Sequence, residues 1–332
     1  MPDVIRGKKI VITGGGGFIG STVGALLADE NEVVLVDRRF LGNAYGYLPL
    51  ERQEKMQTAM VDVLDDPSLL ESVLANADVV IHMAAMLGVQ NVIDNPRRTL
   101  EMNFVGTLRV AQAAEQFCPQ LSRFIFMSTS EIFGGNAFRI EENGASMLGR
   151  VEDARWCYSL SKLAAEHLLF GFFRENRLPV VSIRPFNVFG ARRVGEYVVK
   201  RFVEQALAGL PLTVHGDGAQ IRSWCHVMDF ADGLIRCIGN DAAVGQSFNL
   251  GNPRNTVTIY ELAQRIVRLT ESASQIRCLD AGYTDIDVRV PSIAKAREIL
   301  GWQPMIDLND GLFEIIEWYR KRQSLSVTRS DV

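Results

Sequence analysis

One segment near the amino terminus limits the possible folds more than any other. Residues 10–13 (IVIT) form a short β-branched run typical of a buried strand, and residues 14–20 (GGGGFIG) follow directly. Gly14 permits a tight turn, Gly17 lets a phosphate approach the backbone, and Gly20 allows close helix packing. The first N–H groups of that helix then face the phosphate. The segment therefore predicts a strand, a turn and a helix that bind the pyrophosphate of a dinucleotide.

An acidic residue strengthens this prediction. Asp37 ends the next hydrophobic run and lies about as far downstream as the ribose-binding acid of a dinucleotide fold. A carboxylate there accepts hydrogen bonds from the adenosine ribose and repels a 2′-phosphate, which favours NAD over NADP. Arg38 and Arg39 follow immediately, and an arginine at that place can hold a phosphate. We therefore predict NAD, with NADP as the alternative.

Short β-branched runs alternate with helix-period segments through the first half of the chain. The predicted strands are 9–13, 32–37, 56–62, 78–83, 123–128 and 180–184, and the helices between them include 99–117 and 159–176. Such alternation predicts an α/β fold with a doubly wound parallel sheet of the Rossmann type.

The rhythm changes after Pro185. Helices are predicted at 197–209, 227–239, 258–271 and 309–322, with short strands between them. We expect a smaller α/β carboxyl-terminal lobe that binds substrate. The predicted domains are a cofactor domain of residues 1–185, joined by 225–250, a substrate lobe of 186–322, and a flexible tail of 323–332.

Composition excludes several classes of protein. The 332 residues carry a net charge of -4, which argues against a nucleic-acid-binding surface. The longest apolar stretches, such as 79–87, fall short of a membrane span, and the amino terminus runs directly into a strand. We therefore expect a cytoplasmic protein. The five cysteines show no CxxC or Cys/His spacing, so neither a disulfide framework nor a metal site is predicted.

A tyrosine and a lysine are candidates for acid–base catalysis. Tyr158 and Lys162 are four residues apart, which on a helix places both side chains on one face. A lysine ammonium and a nicotinamide cation nearby would both favour the phenolate. We therefore expect the pKa of Tyr158 to fall toward neutrality, so that the phenol acts as a base.

The order of these motifs resembles that of a known family. Residues 14–20, Asp37, residues 128–134 (STSEIFG) and the Tyr158 motif follow one another as in the extended short-chain dehydrogenases/reductases, the NAD-dependent nucleotide-sugar epimerases, dehydratases and decarboxylases. Further matches are 62–63 (DV), 82–85 (HMAA), Asn103 and 184–190 (RPFNVFG). The cofactor-binding residues that the resemblance implies are Gly14, Gly17, Phe18, Ile19, Gly20, Asp37, Arg38, Asp62, Val63, Ala84, Ala85, Asn103, Tyr158, Lys162 and Pro185.

The resemblance also implies a nucleotide-sugar substrate, with a UDP-sugar favoured. Asn187 would hydrogen-bond the sugar diphosphate, Arg222 looks like the arginine that grips it, and Arg289 looks like a second diphosphate arginine. Two guanidinium groups suit a pyrophosphate because each donates paired hydrogen bonds. Phe133 departs from the tyrosine usual in this family. Members usually form homodimers through two long helices per subunit, here 99–117 and 159–176.

Residues 128–131 (STSE) bear on the reaction. Members of this family first oxidise a sugar hydroxyl, usually at C4, with the tyrosine as base. UDP-glucuronate decarboxylases carry Ser-Thr-Ser-Glu here, and 155–158 (RWCY), 249–253 and 300–304 look like their segments too. We therefore expect activity like theirs. Thr129 and Ser130 would hydrogen-bond the C4 oxygen and the ring, and Glu131 would serve decarboxylation and protonation.

Other activities stay open. A 4-epimerase acting on UDP-glucose or UDP-glucuronate has no use for Glu131, which argues against it. A 4,6-dehydratase acting on dTDP-glucose carries an aspartate at the position of Ser130, and that acid is missing, although GDP-mannose dehydratases use a Ser/Thr-Glu segment. An NAD-sensing scaffold protein would typically have lost Tyr158 or Lys162, and both are present.

Overall fold

A computed structural model describes residues 5–280 and 286–330. The strands are β1 Lys9–Thr13, β2 Glu32–Asp37, β3 Gln57–Met60, β4 Val79–His82, β5 Arg123–Met127, β6 Asn136–Ile140, β7 Val180–Pro185, β8 Val188–Phe189, β9 Leu212–His215, β10 Ile221–Ser223, β11 Cys225–His226, β12 Gln246–Leu250, β13 Thr256–Thr258, β14 Ile276–Leu279 and β15 Val288–Pro291.

The helices are α1 Phe18–Leu27, α2 Leu50–Gln53, α3 Pro67–Leu74, α4 Val89–Asp94, α5 Pro96–Leu100, α6 Gly106–Phe117, α7 Cys157–Asn176, α8 Val198–Leu207, α9 Val227–Gly239, α10 Ile259–Thr270, α11 Ala294–Leu300 and α12 Leu308–Ser330. A π turn, Glu101–Val105, joins α5 to α6. Short 3₁₀ turns lie at Ala44–Tyr47, Ser130–Phe133, Ala154–Trp156 and Asp241–Ala243.

A seven-stranded sheet in the order β12-β7-β5-β4-β1-β2-β3 forms the centre of the molecule. Every neighbouring pair in it is parallel. Its inner strands are buried on both faces, as expected when helices cover both sides of a parallel sheet. One face packs on α1 and α9, and the other on α3, α6 and α7. The predicted doubly wound Rossmann sheet is confirmed.

The smaller lobe has its own core, in which α8, α10 and α12 pack together through side chains such as Phe202, Ile266 and Ile315. A four-stranded sheet in the order β13-β10-β15-β6 joins this lobe to the first half of the chain. β6 precedes residue 186 yet pairs with β15, and β12 follows residue 186 yet pairs with β7. The chain therefore passes between the two lobes several times.

Several elements differ from the predicted boundaries. The predicted helix 99–117 begins earlier, at Pro96, and contains the π turn. The predicted helix 309–322 continues to Ser330, so it occupies most of the segment that we expected to be a tail. The last two residues of that segment lie outside the described residues. The flexibility of the tail stays a prediction.

The described residues limit what else the fold can do. Within 5–280 and 286–330, no helix is both long and apolar enough to cross a membrane. Over the same residues, no group of three or more His, Cys, Asp or Glu side chains is placed to hold a metal ion.

Candidate active site

The glycine segment lies at the carboxyl end of β1, between β4 and β2, where the strand order of the sheet reverses. Gly14 has a φ of +73°, and a Cβ atom there would lie 2.7 Å from the backbone nitrogen of Ala84. A Cβ atom on Gly20 would lie 2.6 Å from the Gly14 carbonyl oxygen. α1 begins after Gly17 without a side-chain cap. Backbone atoms therefore lie so close to Gly14 and Gly20 that only glycine fits at these two positions. We call residues 14–20 the glycine cradle.

Asp37 accepts backbone hydrogen bonds at the edge of the glycine cradle. Its Oδ2 accepts a hydrogen bond of 3.0 Å from the Gly16 backbone N–H, and its Oδ1 accepts one of 3.3 Å from that of Arg39. Burial raises the pKa of the Asp37 carboxyl, and these backbone donors oppose the rise. Arg38 lies 3.8 Å from a carboxylate oxygen of Asp62. The arginine that could have held a 2′-phosphate therefore already faces an acid.

Asn103 joins the loop after β4 to α7. Its Nδ2 donates to the Met86 carbonyl and to the Ser161 hydroxyl, each at 3.0 Å, and its Oδ1 accepts from the Met86 N–H at 2.7 Å. The residue lies in the π turn, a feature often found at functional sites. These contacts position the loop that contains Ala84 and Ala85. A direct contact between Asn103 and the cofactor stays a prediction.

His82 lies beside the glycine cradle and contacts the end of β1. Its Nδ1 lies 2.7 Å from the Thr13 hydroxyl, and its Nε2 lies 3.0 Å from the Thr107 hydroxyl. Burial lowers the pKa of His82 to about 3, and the charge of Lys162 adds to this, so the ring is neutral. The Thr13 hydroxyl in turn accepts from the Ala84 N–H at 3.4 Å. The histidine is therefore a positioning residue for the end of β1.

Tyr158 and Lys162 lie in the first two turns of α7, beside the end of β5. The Lys162 ammonium donates to the Met127 carbonyl at 2.7 Å and lies 4.8 Å above the Phe126 ring. Burial lowers the pKa of Lys162 to about 7, whereas the charge of Glu166, one turn further along α7, raises it. The structure thus confirms the helical pairing of the tyrosine and the lysine.

The pKa of Tyr158 does not fall as the sequence predicted. Burial raises it, the charge of Glu131 raises it further, and the hydrogen bond with Thr129 and the charges of Arg155 and Arg193 oppose the rise without cancelling it. The prediction weighed only a lysine and a nicotinamide cation. Burial and the charge of Glu131 therefore outweigh the groups of the chain that lower this pKa, and the further effect of a nicotinamide cation stays a prediction.

Glu131 lies in the 3₁₀ turn after β5, which Thr129 caps by accepting from the Glu131 N–H at 3.2 Å. Its Oε2 accepts from the Arg155 guanidinium at 2.7 Å and from the Ser159 hydroxyl at 3.3 Å. Burial raises the pKa of Glu131, but Arg155, Arg289 and Ser159 together outweigh burial and hold the pKa below its usual value. Glu131 is therefore a fixed carboxylate beside Tyr158.

Arg222 and Arg289 are partners in register on the paired strands β10 and β15. The Arg289 guanidinium is buried and donates to the carbonyl oxygens of Ser130 and Gly134. The Arg222 guanidinium donates to the Ile221 carbonyl at 3.1 Å. The structure thus brings together the two predicted arginines and places Arg289 against the strand-end segment. Their contact with a diphosphate stays a prediction.

Asn187 lies between β7 and β8, and Arg193, which the sequence argument missed, follows β8. The Asn187 Nδ2 donates to the Ser223 carbonyl at 3.0 Å. Arg193 donates to the Val188 carbonyl at 2.5 Å, and its guanidinium carbon lies 4.3 Å from the centre of the Tyr197 ring. The charge of Arg193 also acts on Tyr158. The sequence feature that could have indicated Arg193 is the pair Arg192-Arg193, which follows the motif at 184–190 after one residue. We call Thr129, Ser130, Glu131, Arg155, Tyr158, Lys162, Arg193 and Arg289 the charged pocket.

Comparison with known proteins assigns this arrangement to a family. The sequence model of the NAD dependent epimerase/dehydratase family matches residues 10–251, which include the cradle, Asp37 and the tyrosine–lysine pair. The chain belongs to this family. It is therefore an NAD-dependent enzyme, and the scaffold alternative falls away.

Relatives within the NAD dependent epimerase/dehydratase family cover almost the whole chain. UDP-glucuronic acid decarboxylase 3 of Arabidopsis thaliana is 35% identical over 329 residues, which are 97% of this chain and 91% of that protein. A UDP-N-acetyl-α-D-glucosaminuronate decarboxylase of Bacillus cytotoxicus is 33% identical over 324 residues, 95% of this chain and 98% of that protein.

Solved structures show the same fold. An epimerase of Methanothermobacter thermautotrophicus superposes with a TM-score of 0.87 at 28% identity, covering 96% of this chain and 94% of that one. The UDP-glucuronic acid 4-epimerase of Bacillus cereus, solved with UDP-glucuronic acid and NAD, gives 0.85 at 25% identity, covering 95% and 99%.

The residues of this family member fit NAD. The N–H groups of Gly15, Gly16 and Gly17 already donate to Val36, Asp37 and Gly14, so the first turn of α1, from Phe18 on, supplies the backbone donors for a pyrophosphate. Asp37 stands at the end of β2 with its carboxylate fixed by two backbone donors. Asp62 lies 3.8 Å from Arg38 and so competes with a 2′-phosphate of NADP for that guanidinium.

Proposed function

We propose that the chain is a UDP-hexuronate decarboxylase, with UDP-glucuronate as the substrate expected first. The observation that carries the proposal is the fixed Glu131 carboxylate, which Arg155 and Ser159 hold beside Tyr158. A simple 4-epimerase needs no such group. The two decarboxylase relatives that match nearly the full chain support the same reaction.

The first step removes the C4 hydroxyl proton. Tyr158 is the base, and Thr129, which hydrogen-bonds the phenol, stands where it can also hold the C4 oxygen. Lys162 lies one turn along α7, and its ammonium charge favours the phenolate. NAD, when bound, supplies a hydride acceptor at first, a hydride donor at the end and a positive nicotinamide ring.

The second step releases carbon dioxide. Oxidation at C4 turns the hexuronate into a β-keto acid, whose C5–C6 bond breaks as the electron pair moves into a C4 enolate. An ionised Glu131 near the C6 carboxylate repels it, and this repulsion disappears when carbon dioxide leaves. The Tyr158 phenol, protonated by then, donates a hydrogen bond to the enolate oxygen.

The last step returns a proton to C5, reduces C4 and leaves a UDP-pentose. Because Arg155, Arg289 and Ser159 hold Glu131 ionised, its carboxyl is a poor direct donor at neutral pH. Glu131 instead orients a water molecule that protonates C5, and the hydroxide that remains takes a proton from solvent. Tyr158 gives its proton back to the C4 oxygen as the hydride returns. The sequence predicted that Glu131 serves decarboxylation and protonation. In this proposal its part in protonation is to orient the water molecule.

The diphosphate is assigned to the arginine pair and the adjacent loop. Arg222 and Asn187 hold it, as the resemblance implies. Arg289 supports the charged pocket as well, because it already binds the backbone of the segment that contains Glu131. The uracil base and the group at C2 of the sugar are the remaining variables, since the two relatives are named for substrates that differ at C2.

The test is incubation of the purified protein with NAD and either UDP-glucuronate or UDP-N-acetylglucosaminuronate. We expect carbon dioxide and a pentose nucleotide from one of the two, measured by trapped carbon dioxide and mass spectrometry. Formation of UDP-galacturonate without carbon dioxide would instead identify a 4-epimerase, the second candidate, which the likeness to the Bacillus cereus structure supports.

The proposal includes assembly, domains and location. Two copies of the chain pair through α6 and α7, which lie side by side on one face of the sheet, where Leu160 is exposed. The cofactor domain comprises residues 1–185 with 225–250, the substrate lobe comprises 186–322, and the enzyme works in the cytoplasm. Sedimentation of the purified protein distinguishes a dimer from a monomer.

A further inference from the structure

Three side chains of α12 form a stripe that faces the cofactor crevice. Glu314, Trp318 and Arg322 are spaced four residues apart, which places them on one face of the helix. α12 belongs to the smaller lobe, yet this face contacts segments around the glycine cradle. The reaction proposed above uses none of the three.

The carboxyl half of the stripe holds the segment after β2. The Trp318 ring meets the Tyr47 ring edge-on, with 5.6 Å between ring centres. The Arg322 guanidinium carbon lies 4.1 Å from the centre of the Tyr47 ring and 4.7 Å from that of Trp318. Tyr47 is thus held by an aromatic contact and a cation–π contact from one helix.

The segment that contains Tyr47 contacts the glycine cradle directly. In the 3₁₀ turn Ala44–Tyr47, the Tyr45 N–H donates to the Gly16 carbonyl at 3.1 Å. The Gly16 N–H in turn donates to Asp37. A displacement of this turn would therefore move both the pyrophosphate loop and the acid that is predicted to bind ribose.

Glu314, at the amino end of the stripe, holds a second connection. The His226 Nε2 lies 3.2 Å from the Glu314 carboxylate, whose pKa is lowered by that hydrogen bond first and by the charge of Arg192 as well. Arg192 donates to the Thr22 hydroxyl on α1 at 2.8 Å and to the Ala44 carbonyl at 3.4 Å. Arg192 thus contacts both the pyrophosphate helix and the turn, and its charge acts on Glu314 of α12.

From this geometry we propose that the stripe Glu314–Trp318–Arg322 is a clasp that retains NAD. It holds the turn Ala44–Tyr47 and Arg192 against the glycine cradle, so that the crevice is ordered before the cofactor binds. The clasp contains none of the residues assigned above to the sugar or to the chemical steps. Its loss weakens NAD binding and leaves the chemical step unchanged once NAD saturates the protein.

The test measures the dissociation constant and the dissociation rate of NAD for Trp318→Ala, Arg322→Gln and Glu314→Gln. We expect each variant to bind NAD about fivefold to tenfold more weakly, the size that loss of one such contact gives. Glu317→Gln is the matched control, because it removes the same charge from the same helix and breaks only an exposed pair with Arg320. Its affinity should stay within about twofold of the parent.

A double-mutant cycle between Tyr47→Leu and Arg322→Gln separates a clasp from a general loss of folding. If the two residues act through their contact, the double variant loses little more NAD affinity than either single variant. Fully additive losses, or unchanged NAD affinity in variants whose circular dichroism matches the parent, would overturn the proposal. The assay needs no sugar substrate, so a wrong substrate assignment cannot cause its failure.

Discussion

The glycine cradle follows β1 and the charged pocket follows β5, with β4 between them in the sheet, but different forces build them. In the cradle, backbone atoms approach within 2.6–2.7 Å of where a Cβ atom would stand, and shape alone decides what fits. In the pocket, the shape depends on paired charges, with Arg155 on Glu131 at 2.7 Å. The cofactor site should therefore be sensitive to one added methyl group, and the catalytic site to one removed charge.

A second ion pair, in the core, lies next to the charged pocket. Glu166, one turn after Lys162, forms a bidentate pair with Arg184 at 3.0 and 2.7 Å. Both side chains are buried, at 4% and 9% exposure, so neither can be compensated by water. The chemistry at the surface of the pocket thus depends on an ion pair within the core.

Tyr158→Phe should have the largest effect on turnover. Removal of the phenol removes the base, and we expect kcat to fall about 10³-fold. NAD affinity should be unchanged within about twofold, because the cradle binds the dinucleotide by backbone contacts. Kinetics with the substrate identified above and NAD titration measure the two effects. A parallel loss of NAD affinity would show that cradle and pocket are not separate.

Arg184→Met should destabilise the fold by about 3–5 kcal/mol, because it leaves the buried Glu166 carboxylate unpaired. The double variant Arg184→Met/Glu166→Leu replaces the pair by apolar groups and should recover most of that loss. Urea denaturation of both variants measures the difference. If the double variant is as unstable as the single one, unpaired charge is not the cause.

Gly20→Ala should weaken NAD binding about 100-fold, because its Cβ atom would overlap the Gly14 carbonyl oxygen and displace the cradle. Gly171→Ala is the matched control, since among the described residues no atom outside its own stretch of α7 lies within 4 Å of the added Cβ atom. That control should keep full NAD affinity and gain about 0.5–1 kcal/mol of stability from helix propensity. Equal behaviour of the two variants would contradict a steric cradle.

Arg155→Gln should have the smallest of the four effects, and this effect should grow as pH rises. In the parent, the pKa of Glu131 is lowered, so its ionisation stabilises the fold above about pH 4.5, and this contribution is lost as pH falls through the lowered pKa. Without Arg155, two of the causes that lower this pKa are lost, so the pKa rises relative to the parent and the ionisation of Glu131 stabilises the fold less above pH 4.5. Unfolding free energies between pH 4 and 7 should therefore diverge with increasing pH, and parallel curves would contradict the pairing.

The sequence was sufficient for the cradle and the sheet because their signals are local. Residues 14–20 specify their own turn, and each β-branched run specifies a buried strand. The tyrosine–lysine pair is local as well. The pKa shift of Tyr158 is not local. Its direction depends on burial and on the charge of Glu131, and neither can be read from the spacing of the tyrosine and the lysine.

Contacts between distant residues could not be predicted in this way. Arg289 meets Ser130 across 159 residues, through the pairing of β15 with β6. The sequence therefore suggested the residue but not its contact with the strand-end segment. Arg193 was missed because its effect on Tyr158, which lies 35 residues earlier, arises only once the chain has folded.

The most direct test of the account follows one turnover of C6-labelled substrate by Glu131→Gln, with Glu141→Gln as the exposed control. Reduced nicotinamide absorbance reports hydride transfer, and trapped label reports decarboxylation. We predict that Glu131→Gln keeps hydride transfer, because the charge of Glu131 raises the pKa of Tyr158 and its loss does not hinder the base. The same variant should release carbon dioxide about 10²-fold more slowly. Carbon dioxide release at the parent rate would contradict the role of the fixed carboxylate.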